Sequence, residues 1–423
     1  MRSLLPDFAP AAENPAFRRL LIGGMLSSLG GSMTTFAITL QVWDMTRSSF
    51  AVGAIGFTCI PVLFAGLIGG SIADRIDRRA LMLITMICAC AVSAVLAVQA
   101  YGRFGQLWLL YLLITVDELT AAIGAPAARA IIPRLVRPQQ LNAAIALRTL
   151  TGRTVMLAGP ALAGVVAGAW GLKTCYLIDA ISFAAGFYGR FRLPPMPADP
   201  GARNRPAAHA ILDGLRYIKR TPVLAAAFLT DLDAMLLGLP VALFPALNAE
   251  HFGGRPQTLG LLTTAVGVGG ITTAVLSGPA IRMRRHGLGM LAGTAVWGAG
   301  IAVFGFTTSL PLGLLGLAVA GAADTLTVTF RAAMVQTVTP DRLRGRVSSV
   351  EYIIGASAGG GLGNVESGTV AALTSPVFSA VSGGIACAAM AAVIGLAIGS
   401  FARYDARAVK SAEEPAAVGA SAS

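Results

Sequence analysis

Apolar runs of about 20 residues or more recur along this chain, and that is the length an α-helix needs to cross the hydrocarbon of a bilayer. Twelve are read, at 17–43, 50–73, 80–100, 106–128, 140–167, 171–191, 222–247, 256–280, 287–308, 311–332, 347–371 and 376–401. Of the 423 residues 55% are hydrophobic and 12% charged, with a mean hydropathy of +0.72, so an ordinary soluble domain is excluded. The net charge of +12 would suggest nucleic acid in a soluble protein. Here the basic residues fall in the short breaks between apolar runs, which is a membrane-topology pattern, and no nucleic-acid partner is expected. The expected fold is therefore an all-α membrane protein.

Between the sixth and seventh runs, residues 193–221 form a Pro-rich, charged stretch too polar to cross lipid; its later part, Ala210 to Arg220, suits an amphipathic surface helix. It splits the chain into a six-helix half at 1–192, the linker, a second six-helix half at 222–401, and a tail at 402–423. With the N-terminus inside, 26 of the 32 Lys and Arg fall on the cytoplasmic side. Arg47, Arg103, Lys173 and Arg255 fall on the other side, and Arg148 and Arg153 lie within a span. Both termini are thus expected in the cytoplasm. Trp43, Trp108 and Trp170 fall near the expected outer interface, where indoles prefer to sit. The start shows no compact apolar region followed by a cleavage site, so no cleaved signal peptide is expected.

A weak internal repeat joins the halves. RAIIPRLVRPQQL from Arg129 to Leu141 and RAAMVQTVTPDRL from Arg331 to Leu343 share Arg, Ala, Val, Pro and Leu at one constant offset, each at the end of the fourth run of its half. Equal helix counts on either side of a central linker make this support for two parallel, pseudo-symmetric six-helix bundles.

The loop after the second run reads GGSIADRIDRRALM, and it resembles the Gly-x-x-x-Asp-Arg/Lys-x-x-Arg-Arg signature of the major facilitator superfamily through Gly70, Asp74, Arg75, Arg78 and Arg79. In that family the loop controls conformational switching. Its counterpart SGPAIRMRRHG keeps Gly278, Arg282, Arg284 and Arg285 without the acid. On the fifth run Gly159, Pro160, Gly164 and Gly168 partly match the Gly-Pro-x-x-Gly-Gly motif of the family's antiporters, with Ala163 in place of one glycine. Small residues four apart allow close helix approach, and proline removes a backbone hydrogen bond.

The resemblance extends over Asn14 to Arg403 to one branch, the enterobactin-type siderophore exporters and related macrolide efflux pumps. It is carried by NPAFRRL, GGSIADRIDRR, the acid of the fourth run followed by IIPRLVRPQQLNAA, FPAL in the seventh run, and QTVTPDRLRGRV before the eleventh. The Arg-bearing fourth-helix motif of many drug antiporters is missing, and Asp117 occupies that region.

Ionisable residues inside spans are costly unless they face a partner or water, which makes them the candidate site. They are Asp117 and Glu118 in the fourth run, Arg153 in the fifth, Asp231 and Asp233 in the seventh, and Asp324 in the Thr-rich ADTLTVT of the tenth. Asp117 and Arg153 lie at matching depth and are expected to pair across a cavity, where a structural ion pair is the alternative. Desolvation favours the neutral form of a carboxyl group, as a proton carrier needs. Asp179, Asn364 and Glu366 lie toward the outer side; Glu351 reads as a residue near the cytoplasmic end, and Arg148 as a snorkelling side chain. The five cysteines lie in apolar runs without ligand spacing, so neither a disulfide framework nor a metal site is expected, and no cofactor. His209, His251 and His286 stand alone, and no nucleophile with a base is recognisable, so an enzyme is not expected.

The expected protein is a monomeric secondary transporter of the cell membrane that couples proton entry to export of a siderophore or drug-like molecule by alternating access. The roles implied are proton coupling or substrate recognition for Asp117, Glu118, Arg153, Asp231, Asp233 and Asp324, and gating for Gly70, Asp74, Arg75, Arg78, Arg79, Gly159 and Pro160. A proton-coupled importer, and a membrane sensor of the same fold, remain the alternatives.

Overall fold

In the computed structural model, residues 7–65, 72, 76–102, 104–194, 196, 207–238, 240–276, 283–357 and 361–405 are described. Among them the chain is helical, without strands. The spans of the first half are α1 (Pro15–Thr46), α2 (Ser49–Ala65), α3 (Arg78–Gly102), α4 (Leu107–Leu135), α5 (Leu141–Trp170) and α6 (Leu172–Phe191). The linker helix α7 (Ala207–Arg220) follows. The second half has α8 (Pro222–Leu237) continued by α9 (Phe244–His251), then α10 (Pro256–Leu276), α11 (His286–Phe306) and α12 (Leu310–Val338). Its eleventh span is described in two pieces, α13 (Asp341–Ser357) and α14 (Gly363–Leu373), before α15 (Pro376–Ala397). Eight helices among the described residues are long and apolar enough to cross a membrane by length and composition. The rest supply the remaining four of twelve spans, and the protein is a multi-pass membrane protein.

Proline and short polar caps start these helices at the breaks. Asn14 accepts from the amides of Ala16 at 2.9 Å and Phe17 at 3.0 Å, with Pro15 in the first turn where no amide donor is needed. Ser375 caps α15 in the same way through Phe378 N at 3.1 Å, next to Pro376. Lipid then takes the place of water outside. Leu373, Leu396 and Phe306 are more than three-quarters exposed, a surface that only an apolar solvent covers without cost.

Contacts divide the chain into two compact units, Met1–Asn204 with Asn248–Thr264, and Arg205–Leu247 with Ala265–Ser423. Inside each the pairing of spans is the same. In the first, α1 packs on α5 and α6, and α3 on α4 and α6. In the second, α8 packs on α14 and α15, and α11 on α12 and α15. Span by span these are equivalent pairs, which is what two parallel repeats of one six-helix bundle require. Missing side chains set the closest approaches: a Cβ on Gly23 of α1 would stand 2.5 Å from the Ala185 carbonyl of α6, and Gly298 and Gly384 bring α11 and α15 together likewise.

The linker helix α7 belongs to the second unit, where it lies along α13. Asp213 pairs with Arg346 at 2.8 Å, Tyr217 Oη donates to Val338 O at 2.8 Å, and Ile218 is buried among Phe228, Val335, Val347 and Val350. α8 breaks at Gly238. Trp297 Nε1 of α11 donates to the freed Gly238 carbonyl at 2.7 Å, and Asn364 Oδ1 of α14 accepts from Ala242 N at 3.0 Å. The cysteines are free thiols: Cys59, Cys175 and Cys387 are buried, Cys90 is half-buried and Cys88 is exposed. Of the tryptophans, Trp108 and Trp170 are exposed and Trp43 is buried.

Candidate functional site

In the first unit the helices α1, α3, α4, α5 and α6 enclose a cavity of about 310 Å³ whose wall includes Phe17, Gly24, Ser28, Arg148, Thr151 and Arg190. A second cavity of about 250 Å³ shares Met82, Ala128 and Arg190 with it and adds Asp117, Thr120 and Gly124. Asp117 therefore reaches an internal space, and the cation in that wall is Arg190 of α6, not Arg153. Asp117 and Arg153 form no ion pair, and Arg153 is exposed. The expected pairing is corrected by helix register. On α5 the residues facing the cavity are Arg148, Thr151, Gly152 and Val155. Residue 153 is turned about 100° from Gly152, so equal depth did not mean equal facing.

Glu118 points elsewhere than Asp117, as adjacent positions on a helix must. It accepts a hydrogen bond from Thr58 Oγ1 of α2 at 2.7 Å. A third acid, Asp179 of α6, is fully buried and not at an outer vestibule. Thr34 Oγ1 donates to its Oδ2 at 2.7 Å and Ser93 Oγ at 2.6 Å, tying α1 and α3 to α6. Here a carboxyl group is held by hydroxyl donors with no cation paired to it among the described residues, a register-fixing use of a buried polar group.

The second unit compensates its charges differently. Arg331, near the end of α12, is 8% exposed; its Nη1 pairs with Asp231 of α8 and its Nη2 with Glu351 Oε1 of α13 at 3.2 Å. One guanidinium thus bridges three spans. Sequence reasoning placed Arg331 among loop charges and Glu351 at a wet helix end. The signal that both belong to the site was the run of helix-forming residues continuing past 332 to Val338. Asp233, two residues beyond Asp231, is buried, and apart from the weak Cys387 thiol beside it neither carboxyl oxygen has a hydrogen-bond partner among the described residues. Asp324 is exposed on α12.

Of the gating residues, Gly70, Asp74 and Arg75 lie outside the described residues, as do Gly278 and Arg282 of the second-half counterpart. Arg79 Nη2 donates to Phe191 O at 2.5 Å and its guanidinium lies over the Phe191 ring at 5.5 Å, anchoring the start of α3 to the end of α6. Among the described residues of this loop, Asp77 accepts backbone donors. Its Oδ1 takes Ala80 N at 2.9 Å as an N-cap does, and its Oδ2 takes Met196 N at 2.7 Å. Gly159 and Pro160 are buried in α5, where Gly159 lies against Ser32 of α1. Further along α5, a Cβ on Gly164 would meet Pro256 O at 2.7 Å and Gly260 Cα at 3.0 Å, so the small-residue face is used for helix approach. Arg148, read as snorkelling, lines the cavity and donates to Ala128 O at 3.2 Å.

The chain is similar to the enterobactin exporter EntS of Citrobacter koseri, 28% identical over 406 residues that cover 95% of this chain and 96% of the relative. The same exporter of Shigella boydii is 27% identical over 386 residues, covering 90% and 92%. Among solved structures it is similar in fold to the nucleoside transporter NupG, with a TM-score of 0.68 and 15% identity over 92% of this chain and 100% of that one. It is similar also to a POT family transporter in complex with 5-aminolevulinic acid, with a TM-score of 0.72 and 12% identity over 92% and 96%. The model of the family described as transmembrane secretion effector matches residues 6–418. Two six-helix repeats, charge-lined interior space within the first of them, and a family match over residues 6–418 lead to one conclusion: the chain belongs to the transmembrane secretion effector family of major facilitator superfamily transporters.

Proposed function

We propose that this transporter is a proton-coupled exporter of a small molecule, a siderophore or a drug-like compound, working by alternating access in the inner (plasma) membrane. The observation that carries the reading is the pair of adjoining cavities in the first unit, with Asp117 and Arg190 on one wall, inside a chain of which 95% aligns with an enterobactin exporter. A carboxyl group open to an internal cavity exchanges a proton with whatever water or cargo fills that space, and a cavity of this size takes part of a small molecule. Asp117 is the coupling group of the first half. Asp231, held by Arg331, and the buried Asp233 are the coupling candidates of the second, while Glu118, bonded to Thr58, positions α2 against α4. Arg78 and Arg79, with Gly70, Asp74 and Arg75, govern the gate, and the Gly159–Pro160 segment keeps α5 close to α1. Both termini are cytoplasmic on the count of basic residues, and the working form is a monomer.

Everted membrane vesicles test this directly. Extracts compared between cells with and without the gene identify a compound retained when the transporter is missing, and that compound is then offered to the vesicles. Accumulation that needs an inward-acid interior and collapses with a protonophore is expected. Accumulation that ignores the pH gradient ends the proton-coupling part, and accumulation only in right-side-out vesicles reverses the direction to import.

A further inference from the structure

The two halves treat equivalent positions differently. Pro15 and Pro222 each occupy the first turn of the first span of their half, so Gly24 stands where the second half has Asp231. The offset that superposes Arg129 on Arg331 places Thr149 where the second half has Glu351. Both acids that hold Arg331 are therefore replaced by uncharged residues in the first half, and Gly24 lines the larger cavity. Two cations nevertheless face that space. Arg190 rests its Nη1 on Met86 Sδ at 3.1 Å, and Arg148 donates to the Ala128 carbonyl at 3.2 Å. Among the described residues neither forms an ion pair and no acid lines the larger cavity, and the two guanidiniums repel each other. A thioether and a carbonyl do not neutralise a guanidinium, and uncompensated charge at a membrane span is retained where function uses it.

We propose that the cavity between Arg148 and Arg190 is an anion-binding subsite of the cargo path, taking a carboxylate or other organic oxyanion carried on an apolar body. This rests on the transporter reading above. Guanidinium forks match an oxyanion in geometry and charge. The hydroxyls of Ser28 and Thr151 lie in the same wall, and Phe17, Leu20, Leu21 and Val155 accept the apolar remainder. A volume of about 310 Å³ suits one substituted aromatic acid or a fragment of that size. Asp117 shares the adjoining cavity with Arg190 but forms no ion pair with it among the described residues, so an entering anion meets the arginines without displacing an existing ion pair.

Salicylate is the probe, with uncharged salicylamide as its control, measured by saturation-transfer NMR on the full chain in nanodiscs of phosphatidylcholine. Salicylate is expected to bind and salicylamide to bind at least about tenfold more weakly. Arg190→Gln and Arg148→Gln should each weaken salicylate at least about tenfold, Arg190→Lys should restore part of it, and Arg216→Gln on the surface helix should change nothing. Equal binding of both probes, or salicylate binding indifferent to both arginine variants, overturns the subsite. Loss of salicylate binding in discs containing phosphatidylglycerol assigns the cavity to a lipid headgroup and overturns it as a cargo site. Proton-driven export of an anionic cargo at an unchanged rate in Arg148→Gln/Arg190→Gln leaves the transporter reading standing and removes the subsite. Arginine-dependent salicylate binding without any proton-driven transport does the reverse.

Discussion

Arg331 and Glu351 meet at 3.2 Å inside the second bundle, and the same guanidinium reaches Asp231, so three spans close on one cation. Removing the cation leaves two acids, one of them 10% exposed, without compensation. Arg331→Ala should destabilise the protein by about 3–5 kcal/mol, whereas replacing Arg331, Asp231 and Glu351 together by apolar residues of similar volume should recover most of that. Thermal unfolding in detergent checks both, and an equal loss in the single and triple variants would show that packing, not charge, is what the cluster supplies.

Asp117 opens onto a cavity while Arg153 faces away from it. Asp117→Asn is expected to reduce proton-driven efflux by about tenfold or more, because no neighbouring acid in that wall takes its place. Arg153→Ala should leave efflux within about twofold of the unaltered protein. Matched membrane expression of both variants is the control, and loss of efflux in Arg153→Ala restores the charge partnership that the register argues against.

Gly23 and Gly24 are sequence neighbours with opposite surroundings. A Cβ on Gly23 meets the Ala185 backbone, and one on Gly24 meets nothing within 4 Å. Gly23→Ala should cost about 1–3 kcal/mol by forcing α1 from α6, and Gly24→Ala should be neutral or slightly stabilising. Melting temperatures of the two variants, measured side by side, decide it.

Asp179 accepts from Thr34 and Ser93, and all three residues are at most 3% exposed. Asp179→Leu strands two buried hydroxyls and should cost about 2–4 kcal/mol, while Asp179→Asn retains an acceptor and should cost about half as much. If both variants melt alike, the hydroxyls have found other acceptors within the helices.

The twelve spans and their division into halves were legible because hydropathy and the positive-inside pattern depend on composition along the chain, which sequence shows directly. Asp117, Asp231 and Asp233 stood out for the same reason, as charges in apolar runs, and their coupling role is a proposal. What sequence does not show is rotation about the helix axis: it paired Asp117 with Arg153 by depth, and the cavity face of α5 runs instead through Arg148 and Gly152. Arg190 and Arg331 escaped notice because each lies near the end of a span, where a basic residue reads as an interfacial one. Glu351 was passed over on the same ground, although its partner sits one helix away and 20 positions earlier in the chain.

The break in α8 binds distant positions to one another. Its freed carbonyl at Gly238 and amide at Ala242 are met by an indole and a carboxamide from two other spans, since no water is at hand in lipid to take over. An engineer who straightened this span by replacing Pro240 would strand Trp297 and Asn364 in the same stroke. Repairing one helix would damage two, so improvements here have to be made as a set of three.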